Sequence, residues 1–162
     1  MGLVALLATR VARAHPEAPA REPLVGVGVR FGFLPPILTV AEAVVRPMPH
    51  VALAAFGMAV RQRFTLGGSI AFEAAEPGCD TPYLQLAYAF YSASGSSWER
   101  SEVGYVTAGY LWKSTSGLDL QLGGGALFVL ADERPPCTGY CFEFKVPPIL
   151  PTLELSGHFR FL

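Results

Sequence analysis

The residues best equipped for chemistry stand near the end of the chain. Glu154, Ser156 and His158 alternate with leucine and glycine, which superficially assembles a carboxylate, a hydroxyl nucleophile and an imidazole base. In an extended strand such residues share one face but sit roughly 7 Å apart, too far for direct hydrogen bonding. Arg160 continues that face, and buried polar packing of these side chains with Arg160 and Arg30 accounts for them better than catalysis does. No catalytic residue is assigned. Cys137 and Cys141 close a tight loop that can carry a disulfide, whereas Cys79 stands in a separate turn, 76–81. Three cysteines split in this way, with no histidine near them in sequence, cannot build a four-ligand zinc cage. Gly123, Gly124 and Gly125 are followed by no helix start and no Lys-Ser/Thr pair, so they are not a phosphate loop. Glycines there let a strand bend. No bound cofactor is implied.

These residues need elements to position them, and the composition narrows the choice. The chain has 162 residues, enough for one domain with a full core. Only 15% are charged and 51% are apolar, a lower charge content than the quarter or so of ordinary soluble domains. Yet Gly, Pro, Arg or Glu interrupts every apolar run before it reaches the roughly 20 residues of a spanning helix. If the chain enters a membrane, it does so as a barrel. The net charge of -1 and the scattered arginines argue against a nucleic-acid surface.

Residues 1–23 differ from the rest. A short apolar run from Gly2 to Thr9 precedes Ala12-Arg13-Ala14, which has the small-x-small form of a signal-peptide cleavage site, although no basic residue stands ahead of the run. The segment is either the remnant of a signal peptide, 1–14, followed by a linker at 15–23, or a plain N-terminal helix. From residue 24 onward there are eight short alternating or apolar segments: 24–33, 36–46, 50–60, 64–74, 82–92, 103–112, 118–131 and 150–161. Pro, Gly, Ser and charged residues separate them. Eight strands of about ten residues suit an antiparallel up-and-down barrel, and ten tilted residues suit a bilayer.

The faces bear on which solvent the barrel meets. One parity gives Val25, Val27, Val29 and Phe31, then Phe64, Leu66, Ile70 and Phe72, and continues through Leu84, Leu86, Leu120, Leu122, Leu153 and Leu155. The other parity is small and sparsely charged, unlike a water-facing sheet. Of twenty charged residues after Pro23, fourteen fall at expected turns or strand ends, and only Arg30, Glu42, Glu73, Asp119, Glu154 and Arg160 lie within strand bodies. With His158 they form a candidate polar cluster for a narrow barrel interior, where opposite charges can pair. Segments 50–60 and 103–112 show no clean alternation.

The closing stretch LELSGHFRFL, with an aromatic beside the terminus and apolar residues at alternate positions before it, resembles the C-terminal signal of bacterial outer-membrane β-barrels. With the eight segments and with Tyr110 and Trp112 near a turn, it is similar to small barrels of the OmpA and OmpX type; in that family the last residue is usually the aromatic, whereas Leu162 follows Phe161 here. The resemblance covers residues 24–162 as architecture. It implies an all-β transmembrane barrel in the bacterial outer membrane, in contact with its lipid and delivered by the barrel assembly machinery. It also implies termini in the periplasm, so that the longest connections, 93–102 and 132–148, would be external and available for contact with a ligand or protein. Phe142, Phe144 and Val146 alternate with Glu143 and Lys145 in the second of these, a pattern that would carry a strand pair beyond the membrane. Two other functions remain open at this stage: a secreted soluble barrel that holds a lipophilic ligand, which needs the greasy parity inward, and a lipid-modifying barrel enzyme.

Overall fold

The computed structural model describes residues 25–32, 38–61, 63–75, 78–93, 99–133 and 148–161. They form strands β1 (Val25–Gly32), β2 (Leu38–Met48), β3 (Val51–Val60), β4 (Arg63–Glu73), β5 (Thr81–Ala93), β6 (Glu99–Lys113), β7 (Leu118–Glu133) and β8 (Ile149–Phe161). Each pairs antiparallel with the next, and β8 pairs with β1, so the sheet closes on itself without an edge. The expected eight-stranded up-and-down barrel is what the chain builds. The segment before Val25, which includes the expected leader and linker, lies outside the described residues.

Closure fixes a stagger. Followed from Val27 through Ala43, Ala55, Gly68, Tyr88, Gly104 and Phe128, the register arrives at Ile149 on β8, whereas Val27 itself pairs with Phe159, ten residues away. A stagger of this size tilts the strands by about 35–45° and leaves an interior just wide enough for side chains. The strand-to-strand alternation therefore decides what fills the barrel.

Three local features differ from the sequence reading. Strand β2 runs through Pro47 to Met48, with its register against β3 shifting between Val45 and Met48. A proline, which cannot donate to the ladder, is accommodated at such an irregularity. Strand β6 opens at Glu99 and β7 continues to Glu133, pairing Arg100 with Glu133 and Glu102 with Ala131. The connections expected at 93–102 and 132–148 are accordingly 94–98 and 134–148. Ladder bonding uses only backbone groups, so charged residues at the mouth of a barrel extend a hairpin as readily as apolar ones.

At the termini's end the connections are 49–50, 74–80 and 114–117. Residues 114–117 join β6 to β7, with Gly117 at φ 86°, where its amide donates to the Ser114 carbonyl at 3.2 Å and its carbonyl accepts from the Arg160 amide at 2.8 Å. An alanine there has room but the wrong backbone, since L-residues resist positive φ. Gly117→Ala is expected to lower stability by about 1 kcal/mol, read as a shift in the urea midpoint of the folded barrel.

Candidate functional site: the barrel interior and its inverted faces

The greasy parity points outward. Val25, Val27, Val29, Phe64, Leu66, Phe72, Leu84, Leu86, Leu120, Leu122, Leu153, Leu155, Phe159 and Phe161 are all exposed, while Arg30, Glu42, Glu73, Gln85, Asp119, Gln121, Glu154 and His158 are buried. A protein that leaves its leucines outside and hides its carboxylates is inverted relative to a water-soluble sheet. Aromatic pairs mark two levels of the outer surface. Tyr110 and Trp112 stand 5.2 Å apart on β6 towards the termini's end, and Phe64 and Phe90 stand 6.5 Å apart towards the far end. A soluble carrier with a greasy lumen requires the opposite orientation.

Inside, the charged residues divide into two groups. The first centres on Arg30, whose guanidinium forms a two-pronged pair with the Glu42 carboxylate, with Nε to Oε2 at 3.1 Å, and lies 3.4 Å from Glu154. The same Glu42 Oε2 also lies 2.8 Å from His158 Nε2. The amide of Gln121 reaches Gln85 at 2.8 Å and Glu154 at 3.4 Å. In the alternative amide orientation, which gives up that Gln121 Nε2 donation to Gln85, the Gln85 oxygen faces the guanidinium and accepts from Arg30 Nη1 at 2.7 Å and from Ser69 Oγ at 3.1 Å. A small cavity lined by Arg30, Glu42, Tyr83, Gln85, Gln121 and His158 leaves room for on the order of one water molecule.

The second group closes the termini's end. Glu73 takes Arg46 Nε at 3.2 Å and Lys113 Nζ at 2.6 Å, while Asp119 takes Arg160 Nε at 3.0 Å and Arg46 Nη2 at 3.5 Å. Arg160 also donates from Nη2 to the Ser114 carbonyl at 2.6 Å, and the Lys113 amide donates to Asp80 Oδ1 at 2.8 Å. Four cations (Arg30, Arg46, Lys113, Arg160) thus meet four carboxylates (Glu42, Glu73, Asp119, Glu154), so that each buried charge has an opposite one within reach.

Register explains why these partners meet. Gly28 pairs with Glu42 on one side and His158 on the other, and its lack of a side chain lets the imidazole cross β1 to the carboxylate. A Cβ at Gly28 would overlap both His158 and the Gly157 carbonyl. Gly28→Ala is therefore expected to cost about 2 kcal/mol through overpacking at the β1–β8 seam, measured by urea unfolding of the inserted barrel. Likewise Gly123 leaves space for the Tyr83 hydroxyl, and Gly67 for the Phe56 ring. The glycines of 123–125 belong to the middle of β7, with no phosphate-loop geometry.

All seven residues of the expected interior cluster, Arg30, Glu42, Glu73, Asp119, Glu154, His158 and Arg160, point inward, in two groups rather than one. Sequence reasoning missed Arg46 and Lys113, set aside with the residues at turns and strand ends, whereas Gln85 and Gln121 fall on the inward parity but stood outside the expected cluster. For Arg46 the available signal was its parity, which continues that of Glu42 on β2. Glu154, Ser156 and His158 do share an inward face, but His158 is directed to Glu42 and Glu154 to Arg30. The Ser156 hydroxyl has no hydrogen-bond partner among the described residues. No group of three or more His, Cys, Asp or Glu suited to a metal occurs among the described residues. Cys79 is a free thiol in the β4–β5 turn, while Cys137 and Cys141 lie outside the described residues.

Against known proteins, no family model matches this sequence, and no curated protein does. Among solved structures, the crystal structure of the N-terminal β-barrel domain of Pseudomonas aeruginosa OprF matches with a TM-score of 0.59 and 14% identity, over 87% of this chain and 100% of that one. At that identity the likeness is one of fold: the chain shares the β-barrel architecture of that domain.

Proposed function

We propose that this protein spans the bacterial outer membrane as a filled, non-enzymatic barrel and presents its far-end connections, chiefly 134–148 and also 94–98, at the cell surface for structural or recognition roles. The observation that carries the reading is the inversion of faces: leucine, valine and phenylalanine meet the surroundings while the charges pair inside. The likeness to the OprF barrel domain supports it at the level of fold. An interior crowded by side chains leaves no porin-like channel, and the separated Glu154, Ser156 and His158 offer no assembled nucleophile. The longest connection, 134–148, lies at the far end, and a long loop on the outer side is the habit of outer-membrane barrels, which supports termini in the periplasm. On this reading β8 carries the sorting signal for the assembly machinery, and Cys137 and Cys141 pair in the oxidising exterior.

The experiment is an epitope scan in a Gram-negative host. A tag inserted after Gly139 should be stained on intact cells, and one inserted between Thr115 and Ser116 should be stained only after permeabilisation, with both proteins recovered in the outer-membrane fraction. Recovery in the soluble periplasm, or the reverse staining pattern, would refute the proposal.

A further inference from the structure

The lumen is not uniform along its length. Val40, Phe56 and Ala89 form a buried apolar cluster, with Met58, Ala87, Val103 and Tyr105 packed against it. On each contributing strand the apolar members lie farther from the termini's end than the polar ones. Val40 stands beyond Glu42 on β2, Ala87 and Ala89 beyond Gln85 on β5, and Val103 and Tyr105 beyond Thr107 and Lys113 on β6. Leu127, buried and in register with Tyr105, stands beyond Gln121 on β7. The boundary is sharp: the Arg30 guanidinium lies over the Phe56 ring, 4.8 Å from its centroid.

We infer that this apolar layer is an ion-tight plug, and that it, not the ionic network beneath it, is the barrier to permeation through the barrel. The inference rests on the reading of the chain as a membrane-spanning barrel. Ions and water can be held among paired charges and amides, but a constriction lined mainly by Phe, Met, Val, Ala and Tyr offers them too few partners to replace a hydration shell and stays dry. A network of charges alone would leave polar groups along which water threads. At the plug's level the buried Thr65 hydroxyl has no partner among the described residues, and it would hold water as soon as bulk is removed beside it. Large-to-small polar substitutions in the plug should therefore open a wet path, whereas neutralising a charge below it should not.

The test is conductance in planar bilayers of the refolded protein, with insertion checked beforehand by heat-modified gel mobility. The wild-type barrel is expected to give no steps above leak. The double variant Phe56→Ser with Tyr105→Ser, or Met58→Ser with Val103→Ser if the first does not fold, is expected to raise the current per inserted barrel on the order of tenfold or more, and Glu42→Gln to remain silent. Conducting wild-type barrels, silent plug variants that do fold, or an opening by Glu42→Gln would each overturn the plug. A wild-type chain that fails to insert, seen on the gel before any current is measured, would instead sink the membrane reading on which the plug depends.

Discussion

Glu42→Ala is expected to destabilise the inserted barrel by about 3 kcal/mol, the low end of the range for breaking a buried ion pair. The carboxylate holds Arg30 and His158 together across Gly28. Its loss leaves a guanidinium that is already out of water facing Glu154 alone, at 3.4 Å. That remaining partner is why the effect falls at the low end of the range. Most of the cost comes from the stranded cation and not from the lost contact, so Arg30→Met in the Glu42→Ala background should recover much of it. Urea titrations of the four proteins in lipid vesicles form the cycle that checks this. An additive double variant would mean that Arg30 is compensated elsewhere.

Leu86→Arg should cost about 2–4 kcal/mol, because a charge at the middle of the lipid-facing band has no water to meet. The position follows from the aromatic levels. Pro82 is in register with Tyr110 of the lower aromatic pair, and Phe90 belongs to the upper one, eight residues and about 20 Å away along a tilted strand. Leu86 lies halfway between them. Arginine in place of Pro82 should cost only about 0–1 kcal/mol, since it reaches the interface. On a water-soluble barrel both changes would be surface substitutions within about 0.5 kcal/mol. The depth dependence, read from urea titrations in vesicles, separates the two environments by size.

The strands that were legible from sequence are those whose two parities differ. On β1, β4, β5, β7 and β8 an apolar residue alternates with a small or polar one, and the boundaries fall within a few residues of the structure. On β3 and β6 the signal is hidden for a physical reason. Here the inward positions carry Phe56, Met58, Val103, Tyr105 and Leu111, which fill the lumen, while Ala55, Gly57, Gly104 and Ala108 face outward. Both parities are then apolar or small, so alternation vanishes at the strands that build the plug. Arg46 and Lys113 were obscured differently. Each sits at the last inward position of its strand, next to residues that signal a turn, yet the barrel's stagger brings β2 and β6 round to meet Glu73 at one level. Such partnerships depend on register and shear, which no local pattern encodes.

The central claim, that the exposed leucines and phenylalanines are a lipid-facing surface, is tested most directly by refolding residues 15–162 from urea with and without detergent micelles, followed by far-UV circular dichroism and heat-modified gel mobility. The account predicts a β-spectrum and a faster-migrating unboiled band only when micelles are present. A monomeric, stable β-protein in plain buffer would contradict it.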